Sequence, residues 1–271
     1  MRFMKRQFST HHRDMIRFFL LLLFVGTSVA SAQEEPAKQP TPPPPTDQPA
    51  APEKPQVVKL DENRYLIGKV TLDRRTREIR FPAKVNMDEG LLEFLLVQEK
   101  GKVHEAMLLT DASPTHINIA FMLLRYLPSN ELFSQLDETG HMTGMYFDVP
   151  AEVKANARIL IEVEWKDAAG KTQRKPINEW IKNTKTDVVM EPGPWLYTGS
   201  ITHEGKYLPE LTGDLFAIFT APEAIVNYPG GDADSDLVWY AFSDRVPAKN
   251  TEITMIITPF PKKPAADQPS K

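Results

Sequence analysis

His104 and Glu105 stand side by side in the chain, with Asp111 and His116 a short distance beyond. Imidazole and carboxylate groups grouped like this could work as general acid and base, or as ligands of a metal. The helical zinc pair H-E-x-x-H is excluded, because its second histidine falls at Leu108. On a strand running from Val103 to Thr110, successive side chains point to opposite faces. His104 then shares a face with Ala106 and Leu108, and Glu105 with Met107 and Leu109. One reading makes His104 or Glu105 a base or ligand at a strand end, with help from Asp111 and His116. The other makes them a structural hydrogen bond that pins the strand to the next helical turn. Asp111 has a comparable double reading: with Ser113 it can cap a helix, or it can form the rim of a small-ligand site at that helix start.

Gly230-Gly231-Asp232-Ala233-Asp234-Ser235-Asp236 places three carboxylates at alternate positions, a spacing that suits a hard cation such as calcium. The rest of an EF-hand loop is missing, since its sixth and twelfth positions are Leu237 and Ser243. The alternative is a solvated acidic loop. Trp165, Trp180, Trp195 and Trp239 are read as core, with a sugar-binding face as the alternative. His141 lies in a Gly-flanked loop, and His203-Glu204-Gly205 reads as a turn between strands. The chain has no G-x-S-x-G, phosphate loop, dinucleotide fingerprint or zinc-ligand cluster.

The elements that must position these groups follow mostly a period of two. Tyr65 to Leu72 and Arg77 to Pro82 predict one hairpin. Leu91 to Gln98 and Val103 to Thr110 predict a second, with enough consecutive leucine to suggest burial on both faces. Ser113-Pro114 then offers an N-cap followed by proline at the first helical position. Ile117, Ala120, Phe121 and Leu124 recur at helical spacing, so the main helix is placed near residues 114–127. Alternation from Ile159 to Lys166 predicts a half-buried strand that turns at Asp167 to Gly170 into Lys171 to Lys175. Pro176 to Ile181 reads as a short helix, and Pro222 to Asn227 as a helical turn. Further strands are predicted at Trp195 to Thr202, Leu215 to Thr220, Val238 to Phe242 and Glu252 to Thr258. The expected class is α+β: β-rich, mostly antiparallel sheet, one main helix and short accessory helices.

Residues Gly68 to Tyr126 resemble the YdjY-like family of exported bacterial proteins. The resemblance is carried by His104-Glu105, by the Thr110-Asp111-Ala112 exit and by the leucine-rich helix after Pro114. VEWKDAAGKTQRKPINEWI, WLYTGS and DLFAIFTAPEAIVNYP look like later parts of the same domain, so the likeness spans most of Leu60 to Phe242. The resemblance implies no settled biochemical activity. Some relatives are called ferredoxin-like because of cysteine clusters; this chain has no Cys, and the electron-transfer label does not carry over.

The N-terminus reads as an address. Arg2, Lys5, Arg6, Arg13 and Arg17 precede an apolar run from Phe18 to Val25 and the small residues Ala30-Ser31-Ala32. That order predicts a secretory signal over residues 1–32, cut between Ala32 and Gln33, with a retained anchor as the alternative. Residues 33–55 carry nine prolines and no aromatic side chain, the composition of a disordered spacer. A single globular domain is expected over 56–260, with a disordered tail at 261–271.

Among 271 residues there are 32 Lys+Arg, 36 Asp+Glu and no Cys. A disulfide framework and thiol catalysis are therefore excluded. Cleavage after Ala32 leaves 27 basic and 35 acidic residues, a balance that speaks against nucleic acid as a partner. The expectation is an exported, periplasmic or extracellular, non-catalytic binding or envelope-associated domain. Its partner would lie in the envelope or outside the cell, and it would touch membrane only through the signal or a retained anchor. No cofactor is called for beyond the calcium reading. The alternatives are a metal-dependent or acid/base enzyme using His104, Glu105 and Asp111, and a calcium-stabilised adhesion module.

Overall fold

The computed structural model describes residues Gln56–Pro261. The signal and spacer readings fall outside the described residues, as does the tail reading apart from Pro261. Pro52–Lys271 forms a compact unit by itself.

Four strands open the domain as an antiparallel meander: β1 (Val57–Lys59), β2 (Arg64–Ile67), β3 (Val70–Asp73) and β4 (Glu78–Val85). The continuous strand expected from Tyr65 to Leu72 breaks at Gly68-Lys69. Gly68 takes φ 55° as the first residue of a two-residue hairpin loop, a conformation glycine adopts without strain. β5 (Phe94–Val97), β6 (Ala106–Leu109) and helix α1 (Pro114–Leu123) follow. β5 is buried at all four positions, as its leucine run suggests. It pairs with β6 in parallel and not as a hairpin, because the connection swings out and back instead of reversing at Gly101-Lys102. The connection contains a single turn of 3-10 helix, Val103–Glu105. His104 and Glu105 therefore lie on that turn and not on a strand.

Next come the exposed hairpin β7 (Ser134–Leu136) and β8 (Met142–Tyr146), then α2 (Ala151–Ala157), β9 (Arg158–Lys166) and β10 (Thr172–Pro176). A 3-10 turn at Ile177–Trp180 leads to β11 (Ile181–Asn183) and β12 (Trp195–Tyr197). The small hairpin β13 (Thr202–His203) and β14 (Lys206–Tyr207) turns at Glu204-Gly205, as expected. The last described elements are α3 (Leu208–Thr212), β15 (Asp214–Ala217), β16 (Val226–Asn227), β17 (Trp239–Ala241) and β18 (Glu252–Pro259). The helical turn expected at Pro222 to Asn227 ends instead in strand β16, parallel to β15.

The main sheet closes on itself. β4, β18, β9, β12, β16, β15, β5 and β6 pair in that order, and β6 pairs back to β4. The fold is β-rich with few helices, and the mostly antiparallel sheet is a closed eight-stranded barrel with two parallel pairs. An eight-stranded barrel leaves an interior that side chains just fill. Phe81 of β4 and Phe216 of β15 meet edge-on across it, with ring centroids 6.3 Å apart. Trp180, Trp195 and Trp239 are buried, and Trp165 packs on Trp180, so the tryptophans belong to the core.

β4 divides one of its edges between two partners. Its first half pairs with β3, and its end pairs with β6. Pro82 sits at the gap between them, where its missing N–H leaves no ladder bond unmade. The Pro82 carbonyl accepts a 2.6 Å bond from Thr110 Oγ1. The start of β3 and the end of β6 thus meet nearly end to end along β4.

Candidate functional site

That meeting point forms an open cleft of about 340 Å³, lined by Lys69, Lys84, Glu99, Thr110, Asp111 and Glu252 among others. The register explains its charges. Lys69, just before β3, and Asp111, just after β6, face each other across Pro82 and form an ion pair. Lys84, on β4, lies 3.7 Å from Glu99. Asp111 keeps 66% of its side chain exposed and makes no bond to the helix start. Its expected capping role is filled by other groups.

Helix α1 is held at both ends by residues distant in sequence. At its start, Ser113 Oγ accepts from the His116 N–H at 3.3 Å and donates to Glu210 Oε1 at 2.8 Å. The same Glu210 oxygen accepts the Thr115 N–H at 3.0 Å. Burial by itself raises the Glu210 carboxyl. The bonds from Thr115 and Ser113 and the nearby Lys100 ammonium outweigh that and hold it below its ordinary value. His116 packs over the Gly68 turn, where an added Cβ would fall 2.4 Å from Nδ1. At the other end, Arg125 and Tyr126 close a Schellman motif onto Met122 and Phe121. Arg77 donates to the Leu124 and Arg125 carbonyls at 2.9 and 3.1 Å. The helix stops at Leu123, short of the expected Leu127, because Arg125 turns left-handed with φ 59°.

His104 and Glu105 do meet, with Nε2 3.1 Å from Oε1. They sit at the opposite end of β6 from Asp111, and four strand residues separate the ends by about 13 Å. Glu105 finds a different partner in Glu93. Burial raises the Glu93 carboxyl above its ordinary value, and a hydrogen bond with Glu105 and the charge of Glu105 push the same way, against Lys102. Nearby, Asp214 is 5% exposed and accepts the Lys102 N–H at 3.0 Å. Burial raises its carboxyl, while that bond and the Lys102 charge oppose the rise. The corner is tight: a Cβ on Gly101 would fall 2.7 Å from Asp214 Oδ1 and 2.8 Å from the Gly213 carbonyl.

In the acidic loop, Asp232 pairs with Lys185 at 2.8 Å and accepts a longer bond from Asn183. The Lys185 hydrogen bond holds the Asp232 carboxyl below its ordinary value. Asp234 and Asp236 are exposed. Among the described residues, no three His, Cys, Asp or Glu side chains converge in a way that could hold a metal ion. His141 and His203 are exposed. Also among the described residues, no helix is long and apolar enough to cross a membrane.

Sequence reasoning missed Lys69, Lys84, Glu99, Glu252, Glu210, Arg77, Glu93 and Asp214. Only Lys69 carried a local signal, the Gly68-Lys69 loop between two apolar residues. The others gain their roles from contacts that topology creates.

The family model of the YdjY domain matches residues 70–258, more than half of the chain. The protein belongs to the YdjY domain family. No curated protein and no solved structure matches it.

Proposed function

We propose that this protein is an exported, non-catalytic binding domain of the cell envelope, and that its ligand sits in the cleft where β3 and β6 meet on β4. The N-terminal pattern of basic residues, short apolar run and Ala30-Ser31-Ala32 supports export. The separation of candidate groups supports binding over catalysis. An acid/base pair must reach one reacting atom directly or through one water, and Asp111 stands a full strand length from His104 and Glu105.

The observation that carries the proposal is the mixed lining of the cleft. Lys69 and Lys84 face Glu99, Asp111 and Glu252 around one opening. Such a site suits a ligand that presents both an ammonium and a carboxylate, the chemistry of the peptide stems in cell-wall polymer. Exposed ion pairs contribute little to stability, so these groups can exchange partners when a ligand arrives.

The test is a melt of Gln56–Pro261 with soluble cell-wall stem peptides and with the sugar backbone lacking them. Peptides should raise the midpoint and the bare sugar should not. Equal shifts from both, or none from either, would remove the proposal. Signal cleavage is checked separately by sequencing the N-terminus of the secreted protein, which should begin at Gln33.

A further inference from the structure

A second cavity, of about 440 Å³, opens at the C-terminal end of α1. Among the described residues it is lined by Arg74, Arg77, Arg125, Leu123, Leu124 and Asn156, with three guanidinium groups and no carboxylate. The whole chain has more acidic than basic residues, so such a lining is locally exceptional. The nearest carboxylates in sequence, Asp73, Glu78 and Glu152, are not part of the wall. Asp73 is occupied in accepting the Arg75 and Thr76 N–H groups.

Two of the three arginines hold left-handed backbone. Arg77 has φ 59° and Arg125 has φ 59°. Arg125 fills the Schellman position that glycine usually takes, at a cost of roughly 1 kcal/mol for a residue with a Cβ. Strained backbone persists where the surrounding structure enforces it, and it concentrates at ligand sites. Two of the guanidinium groups are also positioned in advance. Arg77 lies over the Tyr126 ring at 4.2 Å and is fixed by the Leu124 and Arg125 carbonyls. Arg74 lies 5.9 Å over the Tyr65 ring and reaches its hydroxyl at 3.4 Å. Arg77 is largely spent on the helix carbonyls and neutralises the negative helix end. Among the described residues Arg125 makes no side-chain hydrogen bond and Arg74 makes only the long one to Tyr65, so both forks can turn to an anion.

We infer that this cavity binds a phosphate group of an envelope phosphate ester, with Arg74 and Arg125 as the forks that grip it and Arg77 as the fixed charge behind them. Planar guanidinium groups match phosphate oxygens two at a time. Three positive charges also suit a doubly charged phosphate better than a single carboxylate. The site is separate from the cleft at Pro82 and does not depend on it.

The test uses the compact unit Pro52–Lys271, as wild type, Arg125→Gly and Arg74→Gln. Glycine relieves the left-handed strain, so Arg125→Gly should melt no lower than wild type. Inorganic phosphate and glycerol phosphate at about 10 mM should raise the wild-type midpoint by about 2–4 °C. The dissociation constant should weaken about tenfold or more in each variant. Sodium chloride at matched ionic strength should give no shift. A shift that survives Arg125→Gly, one that chloride reproduces, or none in the wild type would overturn the inference. Vesicles of phosphatidylcholine with and without phosphatidic acid identify the source. Binding to the acidic vesicles marks a lipid headgroup, and binding to the soluble esters alone marks a polymer phosphate.

Discussion

Glu210 accepts the backbone N–H of Thr115 at 3.0 Å across a sequence separation of 95 residues. That bond ties α3 to the start of α1 and supplies the negative charge a helix N-terminus favours. Glu210→Ala is expected to destabilise the fold by about 1–2 kcal/mol, the size of a lost cap. Glu210→Gln keeps an acceptor oxygen and should lose less. Because the folded-state carboxyl is depressed, its contribution is present above the ordinary glutamate pKa and fades as pH falls through the lower folded value. Melting curves from neutral to acid pH should show that wild type loses its margin over Glu210→Ala on acidification.

Arg77 performs the complementary task at the other end of α1. Arg77→Ala removes two bonds to helix carbonyls and leaves a Cβ at φ 59°, whereas Arg77→Gly removes the bonds and the strain together. Both should melt below wild type, with the glycine variant about 1 kcal/mol more stable than the alanine variant. Chemical denaturation of the two side by side measures that difference. Equal stabilities would mean that the backbone angle carries no strain.

The Glu93 and Glu105 pair has the opposite sign. A carboxyl raised in the folded state favours folding below its ordinary pKa and loses that contribution as pH rises through the folded value. Glu105→Gln removes one negative charge and leaves a donor for Glu93. Its midpoint should exceed that of wild type at neutral pH, with the gap closing as the solution is acidified below the ordinary glutamate pKa. A gap that stays constant with pH would show that the two carboxyls do not interact.

Lys185 already neutralises Asp232, the first carboxylate of the acidic loop. Melts with calcium and with a chelator should therefore superimpose. A calcium-dependent rise that Asp234→Asn abolishes would favour the calcium-stabilised reading.

Elements whose burial follows a local rule were legible in the chain itself. The alternation of Ile159, Ile161 and Val163 marks β9, and Ser113-Pro114 marks the start of α1, because neighbouring residues determine both. β5 and β6 were legible as strands but not in their relative direction. Parallel pairing depends on how the Gln98–Glu105 connection is anchored, and that rests on the Gly213 and Asp214 corner more than a hundred residues later. The fate of His104 and Glu105 follows from the same connection. Asp111 was visible as a charged residue at a strand exit, yet its partner Lys69 emerges only when β4 divides its edge at Pro82. The helix end was overestimated because a left-handed arginine at position 125 is not a sequence signal for termination.

The most direct measurement is a calorimetric titration of a soluble cell-wall stem peptide into wild type, Lys84→Ala and Asp111→Asn. The Asp111 side chain is largely exposed and that of Lys84 partly so, each in an ion pair that adds little to stability, and the variants should melt close to wild type. The binding account gives measurable affinity for wild type and a loss of about tenfold or more in each variant, since each removes a charged contact. Unchanged affinity in both variants, or turnover of the peptide by wild type, would contradict it.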